Sequence, residues 1–194
     1  MDITANETLD AKGLACPMPI VRTKKAITNL EPGQIIEVQA TDKGSTADMK
    51  AWAGSTGHQY LGTVEDGEVL KHYLRKADDT ETREEAKYEE VTDLEELRNK
   101  LEGENSISIL DVREPAEFAF GHIPGAVNIP LGELEDRFSE IAKDKKVYVI
   151  CRTGSRSDLA AQKLTEKGYQ NVKNVIPGMT KWEGPTEKTH KEEF

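Results

Sequence analysis

Val147-Tyr148-Val149-Ile150-Cys151-Arg152-Thr153-Gly154-Ser155-Arg156-Ser157 runs from an apolar stretch through a short polar loop into a helix-forming segment. Four consecutive apolar residues suit a strand buried on both faces, as in a parallel sheet. Gly154 lets the loop turn tightly, and the stretch from Ser157 to Lys167, closed by Gly168, reads as a helix. Strand, loop and helix in this order put Cys151 at the carboxyl edge of an open α/β sheet, where ligands bind. Loop amides can converge on the sulfur there, and the helix N-terminus adds positive potential. Arg152 and Arg156 add two fixed charges, which together favour a thiolate. The expected chemistry is attack by the Cys151 thiolate on an anionic sulfur or oxyanion donor. Arg152, Thr153, Gly154, Ser155 and Arg156 are expected to hold that substrate. A merely buried strand-end cysteine would leave the loop unexplained.

Outward from this stretch the second half alternates between helix and strand. A helix is expected from Thr92 to about Leu101, with Thr92 and Glu95 forming a capping box. Strands are expected at Ile107–Leu110, Val127–Ile129, Lys146–Ile150 and Val172–Val175, with a helix over Gly132–Ala142. Two further segments belong with the loop. They are Ile109-Leu110-Asp111-Val112-Arg113-Glu114-Pro115-Ala116-Glu117-Phe118 and Gly121-His122-Ile123-Pro124-Gly125-Ala126-Val127-Asn128-Ile129-Pro130. With Pro177-Gly178-Met179 and Trp182, this set resembles the rhodanese family over about residues 88–186. The resemblance implies a sulfurtransferase in which Cys151 takes a sulfane sulfur to become a persulfide and hands it on. It also implies a structural role for Asp111 and Arg113, and His122 is read as a loop residue, not a base. Cys-dependent phosphatases share the cysteine-and-arginine cradle, but their signature has five residues between Cys and Arg. Here four separate Cys151 from Arg156.

The first half turns on Gly13-Leu14-Ala15-Cys16-Pro17-Met18-Pro19. Cys16 falls at or just before the N-cap of a helix running from Pro17 to Leu30, with prolines tolerated in the first turn. The helix dipole and nearby Arg22, Lys24 and Lys25 are expected to favour a Cys16 thiolate. Taken alone, a buried cysteine between helix-starting prolines is about as good a reading. The flanking pattern gives strands at Ile3–Leu9, Gln34–Ala40, His58–Val64 and Glu68–Leu74 and a second helix at Ser45–Ser55. Within that order the motif resembles the TusA or SirA-like sulfur carriers over about residues 4–76. The resemblance implies that Cys16 accepts persulfide sulfur and relays it.

The fold expected is therefore α/β in both halves. An N-terminal two-layer α/β sandwich carries two helices on a four-stranded sheet, and a C-terminal rhodanese-like α/β domain has a central parallel sheet. The domains expected are a carrier over 1–76, a charged linker over 77–90, a rhodanese domain over 91–186 and a polar tail over 187–194. The linker carries a net charge of −5, against −1 before it and −4 after it. That distribution disfavours direct nucleic-acid binding. The N-terminus reads as having no signal peptide and no stretch as membrane-spanning, so a cytoplasmic location is expected. Cys16 and Cys151 are the two cysteines, and neither has metal-ligand spacing, so no metal and no cofactor is expected. The expected partners are a small-molecule sulfur donor and a protein persulfide donor or acceptor. A tether of about 14 residues would hold donor and acceptor at millimolar effective concentration. The alternative class is a redox-sensing or sulfur-binding module without turnover, and the weaker enzyme alternative is a phosphatase-like activity.

Overall fold

The computed structural model describes residues 3–82, 88–103 and 106–189. The chain divides into two compact units, Met1–Asp79 and Thr80–Phe194. Among the described residues, no helix is long and apolar enough to cross a membrane.

The first unit holds strands β1 (Glu7–Asp10), β2 (Ile35–Ala40), β3 (Gln59–Asp66) and β4 (Val69–Arg75), ordered β1-β2-β4-β3. The β1–β2 pair is parallel and the other two are antiparallel. Parallel pairing needs a crossover, which helix α1 (Met18–Ile27) supplies. Helix α2 (Ser45–Thr56) buries Ser45, Met49 and Ala53, a stripe at i, i+4 and i+8. Met49 and Ala53 meet Ile36, Val38 and Leu74 from the sheet and Ile27 from α1 in one core. The two-layer sandwich expected from the sequence is present.

A polar residue, His72, is fully buried beneath α2. Ser45 gives its hydroxyl proton to the Asp42 carbonyl, so it accepts from His72 Nε2 at 2.8 Å. Nδ1 then accepts from Thr63 Oγ1 at 2.8 Å, which fixes the neutral tautomer. Burial pushes the ring down to about 4. An unfolded histidine takes up a proton near 6.5, while this one stays neutral to about 4. The unfolded state therefore binds more protons between those values, and stability falls as pH drops through that window. The loss expected on going from pH 7 to 4 is on the order of 3 kcal/mol. Urea unfolding of a Trp182→Phe variant, with Trp52 of α2 as reporter, measures it. His72→Gln should flatten the pH dependence; an unchanged slope would rule out His72 as its source.

The second unit holds β5 (Val91–Thr92), β6 (Ile107–Asp111), β7 (Val127–Asn128), β8 (Lys146–Ile150) and β9 (Val172–Val175), in order β5-β9-β8-β6-β7. Every pair is parallel, and β8, the strand leading to Cys151, lies at the centre. Helices α3 (Leu94–Gly103), α4 (Pro115–Phe120) and α5 (Ser155–Glu166) complete it. One core cluster joins Leu110, Val149 and Cys151 to Ala160, Ala161 and Leu164 of α5. Another joins Ile109, Tyr148 and Ile150 to Leu97 of α3. The two clusters take alternate residues of β8, so both faces of the sheet are covered.

Several local expectations are corrected. The α3 cap is Asp93, whose carboxylate accepts the Glu96 N–H at 2.7 Å; Thr92 instead pairs with Val175 as part of β5. Gly132–Ala142 is not an α-helix. It forms two 3-10 turns, Leu131–Asp136 and Phe138–Glu140, broken at Arg137. The apolar pairs Leu131/Leu134 and Phe138/Ile141 are each spaced by three, which suits three residues per turn. The expected linker begins with a 3-10 turn, Asp79–Thr82, whose Glu81 is buried in the second unit. Near its other end, the Tyr88 hydroxyl donates to the Val172 carbonyl at 3.0 Å. Those two residues are thus packed, not solvated; residues 83–87 of that segment lie outside the described residues. In the polar tail, Glu187 exchanges backbone hydrogen bonds with His122, and Thr189 N–H donates to the Ala119 carbonyl. Residues 190–194 lie outside the described residues.

Candidate active site

β8 delivers Cys151 to the carboxyl edge of the second sheet, fully buried at 0% exposure. The loop then turns at Gly154, whose φ of 102° is open to glycine at little cost. A Cβ there would also sit 3.0 Å from Ile176. The turn brings the Gly154 N–H to 3.1 Å from Cys151 Sγ. Ser157 Oγ, in the first turn of α5, lies 3.3 Å from the same sulfur. Ser157 donates to Asn174 Oδ1 at 2.6 Å, and Asn174 in turn donates to the Gly154 carbonyl at 3.2 Å. With its proton committed to Asn174, Ser157 accepts from the Cys151 thiol. Rotating that hydroxyl toward the sulfur would give a thiolate a second donor. Neither Ser157 nor Asn174 was singled out in the sequence; their only signal is a polar residue on a helix face, and on a strand face, that is otherwise apolar.

Behind the loop, Met179 N–H donates to the Cys151 carbonyl at 2.8 Å and Thr180 N–H to the Arg152 carbonyl at 3.1 Å. Gly178 permits this approach, since a Cβ on it would lie 2.6 Å from the Cys151 carbonyl oxygen. The Pro177-Gly178-Met179 segment thus braces the loop. Asp111 and Arg113 brace the adjoining turn: their buried pair closes at 2.7 Å, and Arg113 also donates to the Gly121 carbonyl. His122 is buried with Nδ1 2.8 Å from the Phe118 carbonyl, and its ring stacks on Phe118.

The loop arginines are differently placed from the open cradle expected. Arg156 is buried, with both terminal nitrogens on Glu117 at 2.7 and 3.0 Å. Its Nε lies 3.1 Å from Glu81 Oε1. Burial opposes its charge, but Glu117, Glu81 and Cys151 outweigh that and hold it more firmly protonated than usual. Arg152, 33% exposed, has Nη1 3.8 Å from Glu81 Oε2. Thr153 Oγ1 lies 3.5 Å from the Glu81 carbonyl and 3.4 Å from Ser155 Oγ. Residues 151–156 form one loop, and among the described residues two carboxylates that sequence reasoning left out, Glu117 and Glu81, face the arginines. Glu117 had a signal: Glu114-Pro115-Ala116-Glu117 is a capping box with proline at the first helical position, and the structure forms it.

Cys16 lies in the other unit, just before the α1 N-cap Pro17, and is exposed. Its thiol donates to Asp48 Oδ2 in the first turn of α2 at 2.8 Å. That hydrogen bond, with slight burial and the negative charges of Asp48 and Asp42, raises the Cys16 pKa. The expectation of a resting thiolate is corrected: the acidic neighbours from α2 and the loop before it prevail over the helix start. Replacing the carboxylate by an amide removes the charge, so Asp48→Asn should bring the pKa down and speed iodoacetamide alkylation of Cys16 severalfold at pH 7. Alkylation at the wild-type rate in Asp48→Asn would show that the carboxylate does not hold the proton. Among the described residues no cluster of His, Cys, Asp and Glu could hold a metal.

A parallel sheet with a cysteine loop at its carboxyl edge and, in the other unit, a sandwich presenting a second cysteine define a two-unit α/β protein with a cysteine in each unit. The rhodanese-like domain family matches residues 93–185, and the sulfurtransferase TusA family matches residues 7–76. Over 183 residues the chain is 50% identical to YrkF of Bacillus subtilis, named as a sulfur carrier protein, covering 94% of this chain and 98% of that one. The chain belongs to this family of TusA–rhodanese proteins. A sulfurtransferase of Allochromatium vinosum is 39% identical over 90 residues, which are 46% of this chain and 84% of that one. A solved rhodanese-like domain protein from Staphylococcus aureus is 33% identical, covering 52% of this chain and 98% of that chain, with a TM-score of 0.48.

Proposed function

We propose that the chain takes sulfane sulfur from thiosulfate or a low-molecular-weight persulfide onto Cys151 and relays it to or from Cys16. The observation that carries this reading is the Cys151 sulfur at the sheet edge, with the Gly154 N–H aimed at it from 3.1 Å. With thiosulfate, the Cys151 thiolate attacks the outer sulfur. A new sulfur–sulfur bond forms, the bond to the sulfonate sulfur breaks, and sulfite leaves with the electron pair. In the relay, Cys16 gives its proton to Asp48 and attacks the outer sulfur of the Cys151 persulfide. The bond to Cys151 breaks and Cys151 returns as a thiolate, by the route of thiol–disulfide exchange. The partners are a small-molecule donor and a protein persulfide donor or acceptor, and a cytoplasmic setting, where thiols stay reduced, suits both cysteines.

The test is to load wild type and Cys151→Ser with excess thiosulfate and map added sulfur by peptide mass. Wild type should carry added sulfur on the peptides of both cysteines, and Cys151→Ser on neither. A loaded Cys151 beside an unmodified Cys16 would eliminate forward relay. Absence of sulfur on Cys151 itself would eliminate the donor half of the reading.

A further inference from the structure

Glu81 has no part in the sulfur chemistry just described, yet it touches three residues of the loop. Its carboxylate lies 3.1 Å from Arg156 Nε and 3.8 Å from Arg152 Nη1, and its carbonyl lies 3.5 Å from Thr153 Oγ1. The side chain is only 4% exposed. A carboxylate is seldom buried without a charged partner, and among the described residues it faces the two arginines that an anionic donor would need. With Glu117 on Arg156 as well, two positive charges at the loop face two negative ones among the described residues. Thiosulfate is a dianion, with its charge shared between the sulfur it transfers and the sulfonate oxygens two bonds away. To reach the arginines it must displace Glu81 or sit beside it, and either costs electrostatic energy in a poorly solvated site. A thiol persulfide carries at most one charge at its reacting end and pays a smaller penalty.

We infer that Glu81 is a specificity-determining residue: by holding Arg152 and Arg156 it sets the Cys151 site against thiosulfate and in favour of thiol persulfides. The inference rests on the reading that Cys151 accepts sulfur, and it names the donor class of that site. Such a residue acts on donor affinity, so its signature lies in KM and in the ratio between donors.

The experiment has two arms. In the first, kcat and KM are measured with thiosulfate and with glutathione persulfide for wild type, Glu81→Gln and Glu81→Ala. Both variants should raise kcat/KM for thiosulfate at least about tenfold, mostly through KM, the size expected of one charge-assisted contact. The thiosulfate-to-persulfide ratio should rise by a similar factor. An unchanged ratio, or equal losses with both donors, would overturn the inference and leave Glu81 as a brace of the loop. The second arm uses calorimetric binding of thiosulfate to Cys151→Ser, with and without Glu81→Gln. About tenfold tighter binding with Glu81→Gln supports the inference even if no sulfur transfer is found, in which case the reading of Cys151 fails alone. Equal affinities overturn the inference whatever the turnover shows.

Discussion

Cys151→Ser should lose thiosulfate-to-cyanide sulfur transfer by at least about a thousandfold, the scale on which enzymes lose activity when stripped of their nucleophile. The serine hydroxyl can still meet the Gly154 N–H, so the loop is expected to fold. It cannot form the sulfur–sulfur bond, because it is not ionised near neutrality and an oxygen holds no persulfide. Cys16→Ser should keep most of this activity, since cyanide collects sulfur from Cys151 directly. The assay is thiocyanate formation, with circular dichroism to confirm folding. Near-normal turnover in Cys151→Ser would sink the assignment of the nucleophile. Activity lost equally in Cys16→Ser would mean that the cyanide reaction itself runs through the carrier cysteine. A redox sensor predicts a third pattern, reversible modification of Cys151 without turnover.

The parts of this molecule written in short stretches could be read directly. Val147–Ile150 is apolar at every position because both sheet faces are covered, and the loop after it follows from Gly154. Ile36 and Val38 alternate because one face of the first sheet is covered by helices. What escaped the sequence lies in contacts between distant residues. Asp48 is 32 residues from Cys16, and nothing near the Cys-Pro-x-Pro motif reports that a carboxylate will take the thiol's hydrogen bond. Helix α4 has six residues, too few for a periodic signal. Glu81 stands in a run so acidic that it reads as solvated, and its meeting with Arg152 and Arg156 across the fold is not written near it. Reading the arginines as free to hold an anion followed from their charge alone; their partners come from α4 and from the segment ahead of β5.

The Arg156–Glu117 pair should carry a stability cost that is large and separable from chemistry. Glu117 has no exposed side-chain surface, and Arg156 has 10%. Glu117→Ala removes two hydrogen bonds from Arg156 and the one its carboxylate accepts from the Glu114 N–H, and it leaves the guanidinium buried, charged and matched by the more distant Glu81. Breaking a buried pair on one side costs about 3–5 kcal/mol, and the surviving Glu81 contact argues for the lower end. For a unit of this size that corresponds to a fall in Tm of more than about 10 °C. The reporter is Trp182, which packs against the Leu97–Tyr148 core cluster, in a Trp52→Phe background. Glu117→Gln should fall between, since an amide keeps one acceptor but offers no charge. The triple variant Glu117→Leu, Arg156→Met and Glu81→Gln should recover much of the loss, because it removes the three buried charges together while keeping similar volume. A Glu117→Ala protein within about 1 kcal/mol of wild type would show that Glu81 alone suffices to hold Arg156, and would place the anchor of the loop in the segment before β5, not in α4.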